Sequence, residues 1–473
     1  MRLPMKILTI LTVVGATVLV GRSVPLEAAA PNIVLIISDD QSYRDFGFMG
    51  NDLVHTPHLD RLAAQSARYP NGYVPMSVCR PSLATLLTGL YPHQHGIHFN
   101  HPPPGLREMR KMTADQYRAT RARTDYLIEN VASLPRILAQ HGYACLQTGK
   151  HWEGDYRTAG FTEGMTLGRP AKRLGQVTGT RAQENGQSVA HGNGDAGLVI
   201  GRETMKPIDE FVDKCAGRQP FFLWYAPFLP HTPYDAPARF RKLYEGKQVP
   251  RHLLPYYAEI ARFDETVGHL LEHLQRKSLL SNTLIVFVTD NGLRPDPKRP
   301  DRQDLRSKLS PYEDGLRTPV LIRWDGHTRT AEHRQLVHTI DLVPTMLAAA
   351  GLSSKITPRM RGRDLLPSAT GQKALPSQAV FGAIYPNDAV GLGEPSRDVR
   401  GRWMRAGRFK LVVPGPSKPP LPLALFDLRE DPGEEMNLAN DPRHVARLAE
   451  MKDTLDRWWR PGDDSKVTKR LQP

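Results

Sequence analysis

Cysteine is scarce in this chain, which has three among its 473 residues: Cys79, Cys145 and Cys215. Three cysteines are too few for the disulfide framework of a small secreted scaffold. Beyond residue 30, no apolar run approaches the roughly 20 residues that a membrane-spanning helix needs. Internal repeats and low-complexity tracts are also missing from the sequence. The chain therefore has the composition of a globular protein, long enough for one large domain and a smaller one.

The N-terminus has the pattern of a secretory signal peptide. Arg2 and Lys6 precede an apolar run over residues 7–20, and three alanines end the segment at residue 30. A membrane anchor is the alternative, but the run is shorter than a membrane span. We therefore predict that residues 1–30 are a cleaved signal peptide. The mature protein is then exported, to the periplasm or the medium, without a transmembrane segment.

Basic residues outnumber acidic ones, with 63 Lys and Arg against 49 Asp and Glu and a net charge of +14. A basic surface favours polyanionic partners, and a sulfated polysaccharide is one such partner. Nucleic acid would suit the same charge balance. The sequence, however, contains no nucleic-acid recognition motif, so we predict no nucleic-acid partner.

Three uninterrupted apolar runs of strand length occupy residues 33–37, 220–225 and 283–288. Such runs are typical of strands that are covered on both faces. Helical patterns lie between them, at residues 113–141 and 258–275. Strands alternating with helices predict an α/β fold with a large, mixed and mostly parallel sheet flanked by helices.

The sequence pattern changes near residue 376. Short strand-like segments then follow one another, and a closing helix is predicted over residues 442–459. This predicts a smaller C-terminal antiparallel sheet with a helix packed on it. We therefore divide the chain into a signal peptide (1–30), a main domain (31–375) and a C-terminal subdomain (376–473). Residues 168–200, rich in Gly, Arg and Asn, predict a long surface loop near the site.

Acidic residues follow two of the predicted buried strands. Asp39 and Asp40 end the first, and Asp290 and Asn291 end the third. Ligand sites of α/β sheets lie beyond the carboxyl ends of the strands. Adjacent carboxylates repel each other unless a cation or a proton lies between them. Because all these ligands are oxygens, they favour calcium or magnesium over zinc, although Asp and Asn are also ordinary turn residues.

Residues 77–89, S-V-C-R-P-S-L-A-T-L-L-T-G, predict a loop that leads into a helix. Pro81 suits a first helical turn, and Gly89 is a natural C-terminal stop. Cys79 then lies at the helix N-terminus, where backbone N–H groups favour negative charge. Such a cysteine is either an activated nucleophile or a small hydrophobic residue that fills a gap.

This stretch resembles the signature of the type I, formylglycine-dependent sulfatase family, whose fold is alkaline phosphatase-like. Cys79, Pro81, Ser82, Thr88 and Gly89 match the signature, whereas Leu83 stands where the family has arginine. The resemblance implies that a maturation enzyme converts Cys79 to formylglycine. It also implies a calcium ion, with magnesium as the alternative. The implied metal ligands are residue 79 with Asp39, Asp40, Asp290 and Asn291.

Three further segments resemble the family's sulfate-binding motifs. Lys150 and His151 lie in T-G-K-H-W, which resembles Gly-Lys-Trp-His with the histidine displaced by one position. His231 lies in a Pro-His-x-Pro turn, and Lys308 begins K-L-S-P-Y-E-D-G-L-R-T-P. The resemblance implies catalytic roles for these four residues together with Cys79. It also implies a structural ion pair between Glu313 and Arg317.

The resemblance extends over nearly the whole mature chain, so residues 31–375 are expected to be a sulfatase-like catalytic domain. It implies a sulfuric ester hydrolase that acts on sulfate esters or sulfamates of a sulfated carbohydrate. Two alternatives stay open. One is a phosphodiester or phosphonate monoester hydrolase of the same fold, because fold alone does not determine the ester. The other is an inactive homologue that binds sulfated polyanions.

Overall fold

The computed structural model describes residues 30–168, 180–182, 188–190 and 196–463. The predicted signal peptide, apart from Ala30, and most of the predicted 168–200 loop lie outside these ranges. Within them, no helix has both the length and the apolar character needed to cross a membrane.

The strands of the described chain are β1 (Asn32–Ser38), β2 (Ala67–Tyr73), β3 (Ala144–Gly149), β4 (Glu163–Gly164), β5 (Thr180–Ala182), β6 (Ser188–Ala190), β7 (Phe221–Ala226), β8 (Thr283–Thr289), β9 (Pro295–Asp296), β10 (Arg299–Gln303), β11 (Arg317–Arg323), β12 (Ala331–Glu332), β13 (Val337–His338), β14 (Val380–Ile384), β15 (Gly401–Ala406), β16 (Phe409–Pro414) and β17 (Ala424–Asp427).

The α-helices are α1 (Pro57–Ala64), α2 (Cys79–Thr88), α3 (Pro92–His95), α4 (Leu106–Met109), α5 (Ala114–Ala122), α6 (Tyr126–Glu129), α7 (Leu134–Ala139), α8 (Lys206–Cys215), α9 (Ala238–Lys242), α10 (Leu254–Arg276), α11 (Glu313–Leu316), α12 (Leu342–Ala349), α13 (Leu366–Ala369), α14 (Pro395–Asp398) and α15 (Val445–Trp458).

A nine-stranded mixed sheet forms the centre of the molecule, in the order β12-β2-β11-β8-β1-β7-β3-β4, with β13 also paired to β2. Four neighbouring strands, β8, β1, β7 and β3, run parallel to one another, and β11 is antiparallel to both β8 and β2. These strands are buried apolar runs, and separate hydrophobic clusters pack on the two faces of β1. The predicted α/β fold with a mostly parallel sheet is confirmed.

A second, antiparallel sheet has the order β14-β15-β16-β17, and α15 packs on it through Met451 and Leu455. The predicted small C-terminal sheet with a helix is therefore confirmed. The exact division of the chain between residues 375 and 376 stays a prediction.

The two helical patterns had different outcomes. Residues 258–275 lie within the single long helix α10. Residues 113–141 form three short helices, α5, α6 and α7, rather than one. Ser133 is extended, with φ −124° and ψ 148°, and Pro135 lies in the first turn of α7. A proline cannot continue a preceding helix but fits the first turn of a new one, so the pattern is interrupted there.

Glu313, the first residue of α11, links the large sheet to the C-terminal sheet. Its carboxylate accepts hydrogen bonds from the Tyr73 hydroxyl at 2.6 Å, Lys410 Nζ at 3.1 Å and Arg405 Nη1 at 3.2 Å. Arg317, the partner predicted from sequence, is 4.0 Å away. Burial by itself would raise the pKa of Glu313, but Lys410 and Arg405 outweigh that effect and lower the pKa to about 2.

Glu313→Gln is expected to reduce the free energy of unfolding by about 3 kcal/mol, because it leaves Lys410 buried without its anionic partner. The carboxylate's contribution is complete above its unfolded-state pKa of about 4.5 and is lost as the pH falls towards 2. Denaturant titration at pH 7 and at pH 3 measures both effects. Glu265→Gln, which breaks an exposed pair with Arg239, is the control and is expected to cost less than about 1 kcal/mol. A loss equal to the control's would contradict the prediction.

Candidate active site

The site lies at the carboxyl ends of the four parallel strands. Asp39 follows β1, Asp290 follows β8, Lys150 follows β3, and His231 lies in the segment after β7. The register places Ser38 beside Thr289, so the two acidic strand ends are adjacent. The sheet thus assembles residues that are up to 251 positions apart in sequence.

The acidic ends are held in one conformation by their own hydrogen bonds. Asp290 Oδ1 accepts from the backbone N–H groups of Asp40, at 3.0 Å, and Asn291, at 2.6 Å. Asp40 has a φ of 64°, in the left-handed region that non-glycine residues rarely adopt. Strained backbone of this kind is concentrated at functional sites.

Cys79 is the first residue of α2, as the sequence predicts. Val78 before it is extended, and Gly89 ends the helix with a φ of 66°. The Sγ atom lies 3.7 Å from Asp40 Oδ1 and 3.9 Å from Asp39 Oδ1. Cys145 and Cys215 are buried and free, so they form no disulfide with each other.

Two lysines approach the acidic residues from different segments. Lys150 Nζ contacts both oxygens of Asp39 at 2.7 Å. Lys308 Nζ lies 2.7 Å from Asp40 Oδ2 and 3.0 Å from Cys79 Sγ. Gly149 permits the approach of β3 to β7, because a Cβ there would lie 1.9 Å from the Ala226 carbonyl oxygen. Both lysines therefore bring positive charge to the sulfur and the carboxylates.

His231 completes the cluster on its more exposed side. Its Nε2 lies 3.1 Å from Asp40 Oδ2, and its side chain is 13% exposed. The ring stacks on Phe228 at 4.3 Å between centroids. Phe228 was not predicted as a site residue, and its position three residues before His231 after a buried strand was the available signal.

Burial determines the protonation of this cluster. It raises the pKa of Asp39 well above its ordinary value, against the effect of Lys150, and it also raises the pKa of Asp290. Burial raises the pKa of the Cys79 thiol too. Burial opposes charge on Lys150 and Lys308, but the neighbouring carboxylates outweigh it and raise the pKa of both. Both lysines are therefore cations at neutral pH.

The residues of the cluster fit a cation. Asp39, Asp40, Cys79 and His231 each offer a ligand atom, and these atoms lie within 4.8 Å of one another. Asp290 Oδ2 and Asn291 Oδ1 are buried acceptors that receive no hydrogen bond. Buried acceptors without a donor are costly unless another positive group satisfies them. A hard cation would satisfy both oxygens.

His151, predicted as a catalytic residue, does not join this network. It is buried, its ring lies edge-on to Phe161 at 6.0 Å, and neither ring nitrogen is hydrogen-bonded to a side chain of the cluster. Burial lowers its pKa to about 4. Trp152, the next residue, instead lies near the cluster, with its ring centroid 5.9 Å from Lys150 Nζ. The displacement by one position thus turns an indole, and not an imidazole, towards the site.

Leu83 and Arg80 have different environments on α2. Leu83 packs into the hydrophobic cluster under the sheet with 4% of its surface exposed. Arg80 is fully buried and donates to both carboxylate oxygens of Glu153, at 2.8 and 2.7 Å, and to the Thr124 hydroxyl. Sequence analysis did not identify this pair, which ties the start of α2 to the segment after Lys150.

Residues 31–352 match the Sulfatase family, and residues 305–460 match the family described as "N-sulphoglucosamine sulphohydrolase, C-terminal". Arylsulfatase A of Bos taurus is 29% identical, over 89% of this chain and 85% of its own. N-acetylgalactosamine-6-sulfatase of Homo sapiens is 27% identical, over 72% of this chain and 65% of its own. The solved structure of a phosphonate monoester hydrolase from Silicibacter pomeroyi shares the fold, with a TM-score of 0.67, 21% identity and coverage of 90% and 95%. Because the Sulfatase match spans more than half of the sequence, this chain belongs to the sulfatase family.

Proposed function

We propose that this sulfuric ester hydrolase cleaves sulfate esters or sulfamates of a carbohydrate and that Cys79, converted to formylglycine, provides the nucleophile. The observation that carries the proposal is the position of Cys79 Sγ. It lies 3.0 Å from Lys308 Nζ and within 3.9 Å of both Asp39 and Asp40. An unmodified thiol suits this place poorly, because burial raises its pKa and keeps it protonated.

A bound metal and the matured residue 79 would supply, respectively, charge neutralisation and a hydroxyl nucleophile. Asp39, Asp40, Asp290 and Asn291 would hold the metal together with residue 79. Calcium is the ion we propose, with magnesium as the alternative, because the protein ligands are oxygens. The conversion of Cys79 also requires a maturation enzyme as a partner.

The remaining polar groups act on the sulfate. Lys150 and Lys308 are buried cations beside the nucleophile, so they can stabilise the negative charge that develops on the sulfate oxygens. His231 is the more exposed group, and its imidazole can donate a proton to the departing oxygen. His151 has no such contact in the described residues, and its placement does not favour a role as the base.

A sulfated carbohydrate is the proposed substrate. The net charge of +14 favours a polyanion, and N-acetylgalactosamine-6-sulfatase is named for action on a sulfated sugar. We further propose that the N-terminal segment is a signal peptide and that the enzyme acts after export.

The proposal is tested by rates on matched esters. The wild-type protein is expected to hydrolyse p-nitrophenyl sulfate with a kcat/KM at least about 100-fold above that for bis(p-nitrophenyl) phosphate or p-nitrophenyl phenylphosphonate. Sulfate released from sulfated glycosaminoglycan oligosaccharides is measured in parallel by ion chromatography.

The reverse preference would favour the phosphonate monoester or phosphodiester alternative, to which the fold similarity points. Binding of sulfated oligosaccharides without release of sulfate would instead identify an inactive homologue. Leu83, in place of the family's arginine, is the feature that favours this second alternative.

A further inference from the structure

A group of aromatic and cationic side chains borders the buried site and has no role in the proposed cleavage. Arg121, on α5, holds its guanidinium carbon 4.9 Å from the centroid of the Trp152 ring. Lys150 Nζ lies 5.9 Å from the same centroid. His101 meets this ring edge-on at 6.0 Å. The Trp152 indole therefore links the lysine of the site to a second cation outside it.

Arg121 also lies close to the start of α2. Both of its terminal nitrogens are 3.4 Å from the Asn100 carbonyl oxygen, and the Asn100 side-chain oxygen accepts the backbone N–H of Arg80. Arg80 directly follows Cys79 in the sequence. Two independent contacts, through Trp152 and through Asn100, thus place Arg121 beside the nucleophile and Lys150.

The charge of Arg121 is not neutralised by a direct ion pair. Within the described residues, no carboxylate oxygen lies within 4.0 Å of its guanidinium, whereas Arg80 pairs with Glu153 and Arg118, on the same helix, pairs with Asp115. Trp152 and Arg121 are both partly exposed. A partly desolvated cation without an anion, at an accessible position, favours the binding of an anionic group.

We propose that Arg121 and Trp152 form a subsite for a second anionic substituent of the substrate, a sulfate or carboxylate on the sugar next to the one that is cleaved. This inference rests on the proposed function. The planar guanidinium suits two oxygens of a sulfate or carboxylate, and the indole suits the apolar face of a sugar ring. Because both cations are close to one ring, their separation is within the length of a disaccharide.

The subsite also relates to the departure in the signature. Leu83 contributes no cation on α2, and the charge of Arg80 is taken by Glu153. Arg121 brings positive charge to the same side of the site from a different element, α5. The enzyme is therefore selective for substrates that carry a second negative group within reach of α5.

Arg121→Gln tests the subsite, with Arg118→Gln on the same helix as the matched control. The substrates are p-nitrophenyl sulfate, which has one anionic group, and a heparin tetrasaccharide, which has several. In Arg121→Gln, KM for the tetrasaccharide is expected to rise about tenfold, at least fivefold more than KM for p-nitrophenyl sulfate, with little change in kcat. Arg121→Lys is expected to recover part of the loss, because the charge returns without the guanidinium fork.

Calorimetric titration of the tetrasaccharide into each protein provides a readout that needs no turnover. An affinity about tenfold lower for Arg121→Gln than for Arg118→Gln supports the subsite even if no sulfate is released. Equal affinities for the two variants, equal KM increases for both substrates, or no binding of the tetrasaccharide by the wild type would each overturn it. Failure of the wild type to cleave p-nitrophenyl sulfate or the tetrasaccharide would refute the proposed function alone.

Discussion

Cys79→Ala is expected to reduce sulfate release from p-nitrophenyl sulfate by at least about 10⁴-fold, while the fold and the thermal unfolding midpoint stay near those of the wild type. The reason is that the substitution removes the atom that becomes the nucleophile and leaves the surrounding charges in place. Asp39, Asp40 and Lys308 keep their mutual contacts without the sulfur. Initial rates with the purified variant measure the effect.

Cys215→Ala is the matched control for this experiment. Cys215 is also free and buried, but it lies on α8 in a hydrophobic cluster of the other face of the sheet. Its removal is expected to leave the rate within about twofold of the wild type. Peptide mass mapping of protein from its native host is expected to find the aldehyde or its hydrate at residue 79. An intact thiol there, in an active protein, would contradict the proposed mechanism.

Removal of the metal has the second large expected effect. Dialysis against a chelator is expected to lower the rate at least about 100-fold and to lower the thermal unfolding midpoint, and calcium is expected to restore both. The physical reason is the crowding of Asp39, Asp40 and Asp290, with two buried oxygens, Asp290 Oδ2 and Asn291 Oδ1, that receive no hydrogen bond. Recovery with calcium and with magnesium is compared by activity and by calorimetry.

Asp290→Asn separates the metal effect from a general effect of the chelator. The variant keeps the shape of the side chain but removes its charge, so it is expected to lose about 10³-fold in rate and to bind calcium more weakly. Asp325→Asn is the control, because Asp325 follows β11, which is antiparallel to β8 and therefore ends at the opposite edge of the sheet. Normal calcium affinity in Asp290→Asn would contradict the assignment of Asp290 as a ligand.

Several features of the site could be predicted because they depend on local patterns. The strand ends at Asp39 and Asp290 follow uninterrupted apolar runs, and such runs form buried parallel strands. The helix start at Cys79 and its end at Gly89 follow from Pro81, the apolar residues between and the glycine stop. These signals extend over about ten residues, and the structure agrees with them.

Other features depend on contacts between distant segments. Glu313 was expected to pair with Arg317, four residues away, but its closer charged partners are Lys410 and Arg405 on the C-terminal sheet. The spacing of four residues is visible in the sequence, whereas the docking of the second sheet is not. A local pairing rule therefore found a weaker contact than the one that tertiary packing provides.

The segment after β3 shows the same division within three residues. The sequence determined that Lys150 follows a buried strand and that a histidine and a tryptophan come next. Only the tertiary structure decided which ring faces the site, because Glu153 is bound by Arg80 and this ion pair orients the segment. His151 is consequently enclosed beside Phe161, and Trp152 is placed between Lys150 and Arg121.

By itself, the sequence determined the α/β fold, the strand ends that carry acidic residues and the position of Cys79 at a helix N-terminus, since each follows from hydrophobic periodicity and a few turn and cap residues. The tertiary structure alone decided that Lys308 reaches Asp40 across 268 positions and that Arg80 is neutralised by Glu153. It also decided that Arg121 is left without a carboxylate partner among the described residues. The physical reason is that electrostatic pairing depends on distance in space, and a folded sheet brings together charges whose separation along the chain carries no signal.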